Sequence, residues 1–191
     1  MKTASFVVKS LAAGIAIGIG GIAFLLADTK ILGSLLFSIG LYMVCELKLN
    51  LYTGKICLMP YSTMLVLMLL LNLAGAGLTG LAIRIAKPGV TEKAVEIMTA
   101  KTAESPIQTI ILSMFCILLV YIGIKAENRI GLILAVTVFV FCGFEHCIAN
   151  ALYLTASGIY NTQVLLFLIW NIIGNTIAGV IIYLAHKASQ N

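Results

Sequence analysis

The sequence has few charged residues. Asp, Glu, Lys and Arg make up only 10% of its 191 positions, against about 25% in an average soluble domain. Apolar residues make up 61%, and the mean hydropathy is +1.11. A chain of 20.4 kDa has too little interior to bury that much apolar surface. The composition excludes a soluble single domain, a disordered chain and a nucleic-acid-binding module, and it predicts a surface that faces lipid.

Motifs of enzymes and metalloproteins are also missing. The sequence contains no Gly-x-Ser-x-Gly, P-loop, His-Glu-x-x-His or dinucleotide fingerprint. One histidine inside the apolar spans is too few for a haem pair or a metal site, so we expect no enzyme and no cofactor. The cysteines lack zinc-ligand spacing, and we expect small buried packing residues at Cys45, Cys57, Cys116, Cys142 and Cys147.

Six apolar runs reach or nearly reach the roughly 20 residues of a membrane-spanning helix. The first is too long for the apolar region of a signal peptide, and no cleavage site stands out, so we interpret it as a membrane helix. The whole chain, residues 1–191, is expected to be one transmembrane domain. The runs cover residues 10–27, 31–47, 61–83, 107–124, 130–144 and 163–184.

Two of these runs are followed by stretches that are too polar for lipid and too apolar for an exposed loop, at residues 46–59 and 143–156. The first stretch follows the second of the first three spans, and the second stretch follows the second of the last three spans. Because each half has an odd number of spans, the halves face opposite ways. We therefore predict an all-α membrane protein with six helices in an inverted 3+3 repeat, in which the second and fifth helices are broken where they line a pathway.

The net charge of +5 belongs mostly to loops, where acidic lipid headgroups or an anionic solute are the expected counterparts. Basic residues near the span ends are almost balanced between the two sides. Their slight excess favours cytoplasmic termini.

His146, in the second polar stretch, is the strongest candidate for function, since ionisable residues inside spans are costly. It could donate a hydrogen bond to an anion or exchange a proton near neutral pH; the alternative is a neutral histidine bonded to a backbone carbonyl. Thr53, in the first stretch, could offer a hydroxyl opposite His146, or it could be an exposed cap.

We expect the Glu145 carboxylate to cap backbone N–H groups freed by the helix break. Interhelical hydrogen bonds are expected from Asn72, Asn171 and Asn175.

The octapeptide at residues 143–150, Gly-Phe-Glu-His-Cys-Ile-Ala-Asn, resembles the fifth-span signature of the formate/nitrite transporter family. Residues 37–41 and 51–54 resemble the second span and its loop, and residues 72–76 resemble the third. Gly174 and Asn175 fit the sixth. The resemblance extends over essentially the whole chain.

This resemblance implies an aquaporin-like protomer in a homopentamer, with both termini cytoplasmic, in a membrane of the bacterial inner-membrane type. Each protomer would carry its own pore for small monovalent anions or their neutral acids. By position, His146 is the central pore residue, Thr53 faces it, and Lys101 is the anion-attracting lysine of the vestibule. The rest of the implied set comprises a cytoplasmic constriction (Leu41, Leu51, Tyr52), a periplasmic constriction (Phe37, Phe139), Asn171 on the pathway, and structural Glu145 and Asn150 at the break.

Two positions depart from the family pattern. Ile117 stands where an asparagine is usual, so one hydrogen-bond donor is missing, and Tyr52 brings a hydroxyl to a position where phenylalanine is common.

Three functions stay open. The first is a channel or proton-coupled transporter for anions of the formate, nitrite or hydrosulfide class, the second is a channel for a neutral solute such as water or ammonia, and the third is an accessory subunit without a pore.

Overall fold

A computed structural model describes residues 2–60 and 62–189 as an all-helical chain. The predicted all-α class is therefore confirmed. A helix overlaps each predicted apolar run, but the first begins at Lys2, well before residue 10, and a further helix, Val90–Thr102, lies outside all the runs. Tyr61, the first residue of the third run, lies outside the described residues. They are α1 (Lys2–Leu26), α2 (Lys30–Glu46), α3 (Tyr52–Lys55), α4 (Met64–Ala86), α5 (Val90–Thr102), α6 (Pro106–Lys125), α7 (Arg129–Phe141), α8 (Cys147–Ser157) and α9 (Thr162–Ala188).

Helices α1, α4, α6 and α9 are long and apolar enough to cross a membrane. Helices α7 and α8 are apolar but shorter. Large apolar side chains lie on the outer surface, as at Ile85, which is 81% exposed. Soluble proteins rarely expose wide apolar surfaces, so this distribution agrees with the lipid-facing surface that the composition predicts.

Local sequence signals explain several helix starts. The side chains of Thr29, Asn128 and Asn161 precede α2, α7 and α9, and each accepts a hydrogen bond from a backbone N–H in the first turn. Helix α6 begins with Pro106, and the Gln108 side chain accepts from the Ser105 N–H at 2.8 Å. These caps satisfy amide groups that have no partner inside the helix, which fixes the helix boundaries.

The chain is interrupted twice inside apolar surroundings. Helix α2 ends at Glu46 and the four-residue α3 begins at Tyr52; Lys48, between them, has φ +50°. Helix α7 ends at Phe141 and α8 begins at Cys147, with Gly143 between them at φ +75°. Positive φ values turn the chain sharply in both segments. We call residues 47–51 and 142–146 the first and second linkers.

Helix packing follows the same scheme in both halves of the chain. Helix α1 packs against α2 and α4, and α6 packs against α7 and α9, while α2 contacts α7 at the centre. Two glycines allow the long helices to approach. A methyl group at Gly75 would collide with the Leu11 carbonyl of α1, and one at Gly174 would collide with the Ile110 carbonyl of α6. Small residues thus bring the backbones together, as expected in a membrane bundle.

The expectation of five buried cysteines is wrong in part. Cys57, Cys116 and Cys147 are buried, but Cys45 is only half-buried and Cys142 is exposed. Cys142 is the C-cap residue of α7 and the first residue of the second linker. An apolar neighbourhood in the sequence therefore did not guarantee burial there.

Candidate functional site

Thr53, in the short helix that follows the first linker, contacts His146, the last residue of the second linker. His146 is the N-cap residue of α8, and its Nδ1 accepts a hydrogen bond from the Ala149 N–H at 3.2 Å. Because a backbone N–H can only donate, Nδ1 carries no proton, and the proton of the neutral ring is on Nε2. Nε2 lies 3.0 Å from the Thr53 hydroxyl and donates to it. Both side chains are buried, so the imidazole has a partner at each nitrogen.

On one side of His146 lies a cavity of about 260 Å³, which we call the lysine vestibule. Phe37 and Phe139 line it next to the imidazole. The Phe139 ring lies 5.9 Å from the His146 ring and nearly parallel to it, and the Phe37 ring meets Phe139 edge-on at 5.9 Å. The cavity lining beside His146 is therefore aromatic. The lining residues used below are Lys30, Lys101, Glu104, Glu145 and Tyr153.

Lys101 is ion-paired in the vestibule. Its Nζ lies 2.5 and 2.7 Å from the two carboxylate oxygens of Glu145, and the Asn150 amide donates to the same carboxylate at 2.6 Å. The Lys101 side chain is 16% exposed and that of Glu145 is 1% exposed. The positive charge that the resemblance assigns to anion attraction is thus matched by a buried negative charge, a pairing that sequence reasoning missed.

The expected capping role of the Glu145 carboxylate is wrong. The carboxylate accepts from the Lys101 ammonium and the Asn150 amide instead, because a cationic donor is the stronger partner for a buried carboxylate. Other side chains cap the amides of α8: His146 accepts from Ala149 N–H, and Asn175 accepts from Cys147 N–H at 3.0 Å.

Asn171 connects several elements. Its amide donates to the Ser113 hydroxyl at 2.8 Å and to the Glu145 carbonyl at 2.9 Å, and its oxygen accepts from Asn150 at 2.6 Å. It is fully buried and is not among the residues that line the vestibule. The expected interhelical bonding of Asn171 is confirmed, and the structure places its amide among protein groups.

Asn72 and Asn175 form equivalent hydrogen bonds at the two linkers. The Asn72 side chain accepts from the Tyr52 N–H at 2.7 Å and donates to the Asn50 carbonyl at 3.0 Å. The Asn175 side chain accepts from the Cys147 N–H at 3.0 Å and donates to the Glu145 carbonyl at 2.9 Å. In each case the asparagine side chain accepts a hydrogen bond from the N–H of the first residue of the helix after the linker. It also donates to the backbone carbonyl of the residue two positions earlier in the chain. The interhelical bonding expected of both residues is confirmed.

A second cavity, of about 330 Å³, lies beside Leu51 and Gly54, and we call it the basic vestibule. Lys48, Lys55 and Arg129 line it. Arg129 is ion-paired with Glu46 at 2.5 Å. Sequence reasoning did not assign these cations to the pathway, although Lys55, close behind Thr53 in the sequence, was an available signal.

The residues expected to form the constriction next to the basic vestibule are buried. Leu41, Leu51 and Tyr52 belong to one apolar cluster. The Tyr52 hydroxyl, expected to enter the constriction, forms a hydrogen bond of 2.7 Å with Thr176 on α9. The phenol is therefore held by a neighbouring helix.

Ile117 is fully buried in α6, at the position of the missing asparagine. Over residues 2–60 and 62–189, every buried side-chain nitrogen or oxygen atom has a hydrogen-bond partner. The apolar side chain at position 117 therefore leaves no neighbouring polar side chain unsatisfied among the described residues.

A family model described as "Formate/nitrite transporter" matches residues 1–187. The chain belongs to the formate/nitrite transporter family. Since members of this family are channels and transporters, the protein is a transport protein and not an enzyme. No curated protein matches the sequence.

Solved structures have the same fold as this family member. One is described as "FNT family ion channel"; it has a TM-score of 0.86 and 21% identity, and the match covers 96% of this chain and 89% of that one. Another is described as "Pentameric formate channel with formate bound", with a TM-score of 0.78, 23% identity and 95% coverage of each chain.

Proposed function

We propose that this protein conducts small monovalent anions of weak acids, with formate as the first candidate and nitrite and hydrosulfide in the same class. The observation that carries the proposal is the buried Thr53–His146 contact between two vestibules, one containing Lys101 and the other Lys48 and Lys55. Cations at both mouths raise the local concentration of anions. The polar pair at the centre offers hydrogen bonds in an otherwise apolar passage.

The passage beside Phe37 and Phe139 favours a neutral form of the solute. Moving a bare anion into apolar surroundings costs several kcal/mol or more. Desolvation also raises the proton affinity of the anion. In the proposed mechanism, formate takes one proton from water in the vestibule, crosses the aromatic rings as formic acid, and releases the proton on the other side. Transport is then coupled to protons.

The matched roles of Asn72 and Asn175 support the finer architecture that we propose. The protomer has six membrane crossings in an aquaporin-like inverted 3+3 repeat, and the two linkers break the second and fifth crossings. The equivalent packing of α1 with α2 and α4, and of α6 with α7 and α9, agrees with this repeat. Each linker ends in buried residues, Leu51 in the first and Glu145 and His146 in the second, which agrees with the need to cover irregular backbone with protein inside a membrane.

We also propose that the basic vestibule faces the cytoplasm. The Asn50 N–H donates to the Lys9 carbonyl, so the N-terminal part of α1 lies at this end, and Tyr52 contacts Thr176 in the second half of α9. Both termini then face the cytoplasm, in a membrane of the bacterial inner-membrane type. Lys48, Lys55 and Arg129 line this vestibule, and the positive-inside rule favours cations on the cytoplasmic side.

The proposed assembly is a homopentamer. The broad apolar outer surface of the bundle supplies area for both lipid and neighbouring protomers. The pentameric formate channel of the same fold supports this number.

A neutral-solute channel is the second candidate. The pairing of Lys101 with Glu145 favours it, because the pair removes net charge from one mouth, and Ile117 supplies no donor for an anion. Water or ammonia would then be the solute.

Proteoliposomes containing the purified protein test the proposal. We expect uptake of formate, nitrite or hydrosulfide above that of empty liposomes, faster when the outside pH is lowered; acetate and lactate serve as larger competitors. Osmotic swelling without anion uptake would instead establish the neutral-solute channel. The absence of both fluxes would favour an accessory subunit without a pore.

A further inference from the structure

Glu104 lies in the short connection between α5 and α6, outside the apolar helices, and it lines the lysine vestibule. Its side chain is half-buried and accepts a hydrogen bond from the Thr109 hydroxyl at 3.2 Å. Lys101 and the Glu145 carboxyl group line the same cavity, so the two carboxyl groups and the ammonium face one space.

The charges around this carboxyl pair are nearly balanced. Lys101 of α5 contacts Glu145 directly, and Lys30 of α2 lines the same cavity with its Nζ 5.4 Å from the centre of the Phe141 ring. With both carboxyl groups ionised, the two cations face two anions. The remaining groups from the packed elements are titratable His146 and Tyr153 of α8, and uncharged Gln163 of α9, which donates to the Thr102 carbonyl.

Burial raises the pKa of Glu104 to about 7, and the neighbouring negative charge of Glu145 acts in the same direction. Lys101 and the Thr109 hydrogen bond lower the pKa but do not cancel these effects. The Glu104 carboxyl therefore changes its charge close to neutral pH.

We propose that Glu104 binds a proton beside the Lys101–Glu145 pair, and that this proton decides whether the vestibule accepts an anion. With the proton present, Glu145 and Lys101 compensate each other and Lys30 leaves the vestibule net positive. When the proton leaves, Glu104 adds a negative charge that repels an incoming anion. Glu104 is then a selectivity residue of the pathway. The inference rests on the proposed anion transport.

The first test compares formate uptake by the wild type, Glu104→Gln and the control Glu96→Gln from about pH 5 to about pH 9. Glu96 is an exposed carboxylate on α5 and is not among the residues that line the vestibule. All three proteins are compared at equal pH, so the supply of formic acid is the same. We expect the KM for formate to rise through about pH 7 in the wild type and in Glu96→Gln.

In Glu104→Gln the KM should stay low, about tenfold below that of the wild type at the alkaline end, because a fixed neutral amide replaces the ionisable group. At the acid end all three KM values should agree. A Glu104→Gln profile that follows the wild type would overturn the proposal.

The second test detects the proton without transport. Infrared titration of the protein in lipid nanodiscs should show a carboxylic acid band that disappears near pH 7, is lost in Glu104→Gln and persists in Glu96→Gln. A wild type without this band contradicts the proton on Glu104. If the wild type has the band but transports no anion, the proposed function fails while the proton on Glu104 stands.

Discussion

The Thr53 hydroxyl lies 3.0 Å from Nε2 of His146, and this contact joins the two halves of the chain at their linkers. The direction of the bond follows from the other side of the ring, where the Ala149 N–H holds Nδ1 as an acceptor. The imidazole is thus neutral and fixed in orientation. A solute that reaches His146 has to replace or share the Thr53 hydrogen bond.

The variant His146→Asn removes the imidazole but keeps a side chain that can cap α8. Asparagine is a strong N-cap residue, so the bond to Ala149 N–H is retained, but its side chain is too short to reach Thr53. We expect a folded protein whose formate uptake in proteoliposomes falls by about tenfold or more, since the central donor is lost. His146→Ala should lose the cap as well, with a further cost of about 1 kcal/mol in the free energy of unfolding. Wild-type uptake by His146→Asn would show that the imidazole has no part in transport.

The two linkers should depend on their asparagines for stability. Asn72→Ala and Asn175→Ala each leave at least two buried backbone groups without a partner, and each such group costs about 1–3 kcal/mol. Thermal unfolding in detergent should show both variants strongly destabilised. Asn161→Ala is the control, because it removes an exposed helix cap worth about 1 kcal/mol. Equal losses in all three variants would refute the role of Asn72 and Asn175 as supports of the linkers.

The Lys101–Glu145 pair should be energetically coupled. Lys101→Met leaves a buried carboxylate without its cation, and Glu145→Gln leaves the ammonium without its anion. The double variant should therefore cost less than the sum of the single variants, with a coupling of about 1–3 kcal/mol in the free energy of unfolding. The Glu46–Arg129 pair provides the comparison. Its side chains are 41% and 51% exposed, so its coupling should be about 0–1 kcal/mol. Additive effects of Lys101→Met and Glu145→Gln on the free energy of unfolding would contradict the coupling of the buried ion pair.

Local and periodic features of the sequence predicted much of the fold. The apolar runs indicated the long helices but not α5 or α8, and the polar stretches after the second and fifth runs contain most of the two linkers. The three asparagines inside apolar runs were expected to bond between helices, because an amide in lipid needs a partner. The resemblance to a known family placed Thr53 opposite His146, a contact between residues 93 positions apart.

Contacts that depend on side-chain direction were not predictable. Glu145 lies in the second linker and Lys101 in the last turn of α5, and no periodicity relates them, so the capping role assigned to Glu145 was wrong. The exposure of Cys142 depends on where α7 stops. Glu104 had no motif of its own, and its position became meaningful only when the fold placed it in the same cavity as Lys101 and Glu145.

The most direct test of the anion pathway is the initial rate of formate uptake into proteoliposomes by the wild type, Thr53→Val and Thr53→Ser. Valine replaces the hydroxyl by a methyl group of similar shape and removes the partner of His146 Nε2, whereas serine keeps the hydroxyl. The account predicts uptake by the wild type and by Thr53→Ser, and a loss of about tenfold or more in Thr53→Val, with all three folded. Equal uptake by Thr53→Val and the wild type would contradict a pathway that passes between Thr53 and His146.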